Sequence, residues 1–176
     1  MNRLVLVIFF SISFCLIGQR VLADEIRIGI LKHDINVRLG HRYENGYDVN
    51  SEYLFSEDYK FLRGYPHIGA DINTSGYASS VYTGLTWRFD IMESMFWEVS
   101  LGGAIHNGEL KKSPKQRALK KRPLGSRLLF RESFSLGVKF NEIHALTLIL
   151  DHISNADIVK PNAGLTNLGI RYGFKF

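Results

Sequence analysis

The chain has 176 residues, with 22 lysines and arginines against 17 acids and a formal net charge of +5. Its single cysteine, Cys15, excludes an intramolecular disulfide and argues against a structural zinc site built on thiolates. Beyond residue 23 no apolar run approaches the ~20 residues of a transmembrane helix, so any membrane crossing would have to be made by strands.

The N-terminus reads as an export signal. Arg3 precedes an apolar stretch from Leu4 to Ile17, and small residues end the segment at "VLA", Val21–Ala23. That order of basic start, short apolar core and small-residue site predicts cleavage after Ala23. The expected division is therefore a signal peptide, 1–23, followed by one domain, 24–176.

From residue 25 onward the hydropathy alternates with period two, the pattern of strands with two unlike faces. Eight such segments are expected, roughly 25–33, 46–56, 65–74, 79–91, 95–106, 125–140, 144–155 and 165–176. In the fourth, Val81, Thr83, Leu85, Trp87 and Phe89 alternate with Tyr82, Gly84, Thr86, Arg88 and Asp90. In the eighth, Leu168, Ile170, Tyr172, Phe174 and Phe176 alternate with Asn167, Gly169, Arg171, Gly173 and Lys175.

The second face mixes glycine with charge of both signs: Asp48, Glu52, Asp71, Arg88, Asp90, Glu98, Arg131, Asp151 and Arg171. A barrel of eight strands has room inside only for its own side chains. Small residues and mutually paired charges suit that interior, leaving the apolar, aromatic-rich face to meet lipid. Even strand number, ~10-residue alternating segments and aromatic girdles describe an outer-membrane barrel, and closure would leave no backbone edge unpaired in lipid. The expected fold class is all-β, an eight-stranded antiparallel transmembrane barrel. The competing soluble, lipocalin-like barrel fits the aromatic last strand poorly.

Between the fifth and sixth segments lies "KKSPKQRALKKR", seven basic residues without an acid: Lys111, Lys112, Lys115, Arg117, Lys120, Lys121 and Arg122. With both termini periplasmic this loop is external, where it would attract anionic groups such as phosphates. A merely solvated loop is the plainer reading. "NTSGYASS" (73–80) reads as a turn, since no helix follows it to cradle phosphate. His33, His41, His67, His106 and His144 are scattered without metal-site spacing. No cofactor, metal or nucleic-acid partner is expected, and a homodimer is left open.

The seventh segment ends unlike a plain strand. His152 and Ser154 share a face with Leu146, Leu148 and Leu150, so they point outward near the external leaflet surface, where unpartnered polar groups are costly. On the sixth segment Glu132 interrupts the apolar face of Leu128, Phe130, Phe134, Leu136, Val138 and Phe140. A three-residue turn, Asn141–Glu142–Ile143, puts Phe140 opposite His144. Counting back in step puts Glu132 opposite His152, close enough for a carboxylate–imidazole contact. Serine, histidine and a carboxylate are the parts for nucleophilic acyl transfer, with Asn155 available as an oxyanion donor.

"HISNADIVKPNAG" (152–164) resembles the lipid A deacylase (PagL) family pattern of His-x-Ser-Asn-Ala followed by Pro-Asn-x-Gly. "GYDVNSEYLF", "PHIGADINTSG", "VYTGLTWRF" and "GSRLLFRE" extend the similarity over most of the chain. The resemblance implies an outer-membrane esterase acting on the acyl chain at position 3 of lipid A. In it His152 is the general base, Ser154 the nucleophile, and Asn155 and the Ala156 backbone form the oxyanion hole. One position departs. Where the family pattern has glutamate two residues after that glycine, this chain has Thr166, which cannot be the acid. Glu132 is expected to take the role; a His–Ser dyad and an impaired enzyme are the alternatives. Two other functions stay open: a non-catalytic small barrel, and acyl transfer to another lipid rather than to water.

Overall fold

In the computed structural model, residues 24–35, 44–114 and 120–176 are described; the expected signal peptide, His41, Lys115 and Arg117 lie outside them. Eight strands follow in chain order: β1 (Glu25–Lys32), β2 (Tyr47–Leu54), β3 (Tyr65–Asn73), β4 (Ser80–Met92), β5 (Met95–His106), β6 (Leu128–Lys139), β7 (His144–Ser154) and β8 (Leu165–Lys175). Each pairs antiparallel with its sequence neighbour, and β1 closes on β8 from Glu25↔Lys175 to Lys32↔Leu168. The eight alternating segments are the eight strands. The sixth starts three residues later than expected, because Gly125 sits at φ +82° in a turn in which Ser126 N–H bonds to Leu124 O.

Parity puts the charges inside. Arg27 donates from Nε to Glu25 (2.7 Å), from Nη1 to Glu52 (3.0 Å) and from Nη2 to Glu98 (2.7 Å). Arg171 Nη1 lies 2.9 Å from Glu52, and Arg131 Nε lies 2.7 Å from Asp151. Each buried guanidinium thus faces carboxylates, without which burial would cost several kcal/mol per ion. Aromatic rings line part of the network: the Arg131 guanidinium lies 3.6 Å from the Tyr82 ring centroid and that of Arg88 4.4 Å from Phe96. The Phe96 ring fits because Gly137 is opposite, where a Cβ would meet Phe96 Cζ at 2.1 Å.

Two expectations about the inner face need correction. Asp90 is exposed at the strand end, paired with Lys139 at 2.6 Å, because β4 there runs past the enclosed barrel. The interior is also not only small and charged: Ala78, Tyr82, Ala104, Leu124, Leu129, Ile153 and Leu165 form an apolar cluster. Leu124 and Ala78 come from loops, so this cluster plugs the barrel end at which Leu124 and the 155–164 connection lie.

Outside, the wall is apolar and exposed from Ile26, Ile28 and Ile30 on β1 to Ile170, Tyr172 and Phe174 on β8. Water would make such a surface unfavourable; a hydrocarbon layer removes the penalty. Aromatic residues gather towards the end bearing Asp24 and Phe176. Phe89 stacks on Trp97 at 4.4 Å, and Phe174 on Phe176 at 6.2 Å.

Candidate active site

The site forms where β7 runs out. The register between β6 and β7 brings Glu132 opposite His152 and Phe130 opposite Ser154, as the three-residue turn requires. Across the other edge, His152 faces Thr166 of β8. Glu132, His152 and Thr166 therefore form one outward row over three adjacent strands, with Ser154 one pleat nearer the loop end. His152 and Ser154 are both half-buried. They line a cavity of about 510 Å³ with Glu132, Thr166, Ala156 and Gly164.

Within that row the imidazole is held from the β8 side: His152 Nδ1 lies 2.7 Å from Thr166 Oγ1. Glu132 reaches the same cavity, but the hydrogen bond at Nδ1 is made by the threonine. The residue that makes this contact, Thr166, is not an acid. Its signal was the alignment of the "KPNAGLT" segment, but a side chain's rotamer cannot be read from the chain.

The connection after Ser154 turns sharply. Ala156 and Asp157 adopt φ of +52° and +62°, left-handed values that cost roughly 1–2 kcal/mol each for non-glycine residues. Asn155 holds the turn in place. Its buried side-chain amide donates to Leu124 O and Val159 O, both at 2.9 Å, and its backbone N–H donates to Asn162 Oδ1 at 3.2 Å. In this geometry the Asn155 amide fastens the loop that follows Ser154. Gly164, at φ +59°, closes the loop against the imidazole, where a Cβ would stand 2.9 Å from His152 Cε1.

Arg122, one of the seven basic loop residues, lines the same cavity. It is buried, and Nη2 donates to Asp34 Oδ1 at 2.6 Å and Nε to Asp34 Oδ2 at 3.1 Å. Nη1 donates to the carbonyls of Ala163 (2.7 Å) and Gly164 (2.9 Å). It therefore clasps the β7–β8 connection to the end of β1. Asp34 is seated in turn by its N–H to Asn167 Oδ1, 3.1 Å. Beside it, His33 is buried between Asp48 (Nδ1, 2.8 Å) and Glu44 (Nε2, 2.9 Å). Burial opposes the charge on His33, but the two carboxylates outweigh it and raise the imidazole to about 9. Of the other loop cations, Lys111, Lys112 and Lys120 are exposed, and Lys121 lies 3.6 Å from Glu109.

Fold and site together define a class: a lipid-facing barrel that carries a serine and a histidine at the mouth of a cavity in its outer wall. A family model described as lipid A 3-O-deacylase (PagL) matches residues 35–175, and the chain belongs to that family. No curated protein matches the chain in sequence. Among solved structures, the crystal structure of the outer membrane enzyme PagL superposes with a TM-score of 0.59 at 18% identity, covering 86% of this chain and 98% of the other. A de novo designed transmembrane β-barrel superposes at 0.56 with 10% identity, covering 91% and 100%. Both share the fold. The protein is thus an outer-membrane β-barrel enzyme of the lipid A deacylase family, an ester hydrolase.

Proposed function

We propose that Ser154 is the nucleophile and His152 the base for removal of the ester-linked 3-O-acyl chain of lipid A. The observation that carries this reading is the outward placement of both side chains at one cavity on the lipid-facing wall. A substrate held in the leaflet by its own acyl chains needs no extraction into water. Ser154 Oγ attacks the ester carbonyl while its proton passes to His152 Nε2. The carbonyl carbon–sugar oxygen bond then breaks, and the sugar oxygen takes that proton. Water, activated by the same imidazole, releases the fatty acid and restores the serine.

Glu132, directly across from His152 on β6, is the acid of the site. The Ala156 backbone, turned left-handed two residues after the nucleophile, supplies the oxyanion contact. The exposed Lys111, Lys112 and Lys120, with Lys115 and Arg117 of the same loop, attract the substrate's anionic headgroup. Residues 1–23 act as the export signal, and the apolar outer wall is the surface through which two barrels would pair as a homodimer.

The test is mass spectrometry of detergent-dispersed lipid A after incubation with purified protein. Wild type should release one hydroxyacyl chain as free acid, and Ser154→Ala and His152→Gln should release none. Equal release by Ser154→Ala would overturn the assignment, and a second acylated lipid in place of free acid would indicate transfer.

A further inference from the structure

His152 lies between a carboxylate and a hydroxyl, and its Nδ1 faces the hydroxyl. Resting on the esterase reading above, we propose that Thr166 is the positioning residue of this site, fixing the imidazole plane through Oγ1 without dictating which ring nitrogen carries the proton.

The geometry is specific. Thr166 and His152 are direct cross-strand partners on β8 and β7, and Oγ1 to Nδ1 is 2.7 Å. Thr166 is itself fixed, because its carbonyl accepts the Ile35 N–H at 2.9 Å and its neighbour Asn167 Oδ1 accepts the Asp34 N–H. Gly164 lies close against the ring, where an added Cβ would stand 2.9 Å from Cε1. The imidazole therefore sits in a slot, and the hydroxyl sets its rotation.

The chemistry of the two partner types differs. A carboxylate only accepts, so it forces Nδ1 to carry the proton and leaves Nε2 as the base. A threonine hydroxyl both donates and accepts. It bonds equally to Nδ1–H, the tautomer that can take the Ser154 proton, and to bare Nδ1, whose Nε2–H cannot. When Nε2 takes the serine proton, both ring nitrogens are donors and Thr166 Oγ1 must accept. Thr166 thus supports the charged state by one neutral hydrogen bond, and only the Nδ1–H fraction of resting enzyme is competent. A carboxylate at 166 would remove the incompetent tautomer and add a countercharge.

The experiment combines kinetics on detergent-dispersed lipid A with imidazole ¹⁵N NMR of the full barrel in micelles, His152 being assigned by its absence in His152→Gln. Thr166→Val should lower kcat about tenfold, the worth of one hydrogen bond in the transition state, with KM unchanged. Thr166→Ser should restore that loss. Thr166→Glu should raise kcat about tenfold and convert a mixed tautomer signal into that of Nδ1–H alone. Wild-type kcat and an unchanged His152 spectrum in Thr166→Val would overturn the proposal. The Val and Ser pair decides even if the Glu variant does not fold. Failure of the esterase reading would look different: Ser154→Ala would match wild type, while the ¹⁵N spectrum of Thr166→Val would still report on the Thr166 contact.

Discussion

Replacing Gly164 by alanine tests whether catalysis depends on the slot around His152. The new methyl carbon would lie 2.9 Å from His152 Cε1 and 3.3 Å from Nε2. An ordinary carbon contact is ~3.5–4.0 Å, so the ring must retreat by roughly 0.6 Å or more. Alanine at φ +59° adds about 1–2 kcal/mol of backbone strain, which the loop can relieve only by shifting away from Arg122. Misplacement of a reacting group by ~1 Å can cost 10²-fold in rate, so kcat should fall about 10- to 100-fold. The barrel's ladders do not involve residue 164, so heat-modifiable electrophoretic mobility should stay that of folded protein. The assay is initial rate of fatty-acid release from dispersed lipid A at saturating substrate. Wild-type kcat in a folded Gly164→Ala protein would refute the reasoning.

Arg122→Ala removes the clasp between Asp34 and the carbonyls of Ala163 and Gly164 and leaves the Asp34 carboxylate buried. It should lower kcat and the barrel's melting temperature, and should expose the 155–164 connection to limited proteolysis; an unchanged cleavage pattern would contradict the clasp. The double variant Lys111→Ala/Lys112→Ala should instead raise KM and flatten its salt dependence at constant kcat, and a kcat effect without a KM effect would count against headgroup attraction. His33 carries the pH dependence of the loop cluster. Its folded value of about 9 exceeds the ordinary 6.5, so its stabilisation is complete below pH 6.5 and lost as pH rises through 9. Hydrogen-exchange protection of the Arg122 N–H, which donates to Glu44 Oε1 at 2.8 Å, should decline over that window, and protection unchanged to pH 10 would refute it.

The strands and their faces were readable because a lipid-facing wall and a charged lumen impose opposite chemistry on alternate residues. Register was readable at one hairpin, where three turn residues between Phe140 and His144 leave one in-step pairing and so place Glu132 opposite His152. What the sequence could not convey depends on contacts between distant loops. Arg122 belongs by composition to a solvated basic run, yet it is buried because Asp34 and two carbonyls from 163–164 converge on it. Asn155 follows Ser154 directly, but its amide is drawn inward by Leu124 O and Val159 O. At Thr166 the residue type was visible while its rotamer was not, and the rotamer decides which neighbour holds His152. The apolar plug escaped notice for the same reason: Leu124 and Ala78 join it from connections with no alternation of their own.

The central claim is that a serine on the lipid-facing wall is the attacking group. A long-chain alkyl fluorophosphonate, whose phosphorus bonds an activated serine oxygen with loss of fluoride, tests it most directly when incubated with the folded barrel and followed by peptide mass spectrometry. The account predicts a single adduct on Ser154, absent in His152→Gln and slowed in Thr166→Val. Deacylation of lipid A by a protein whose Ser154 remains unlabelled, or labelling on a serine outside this cavity, would contradict it.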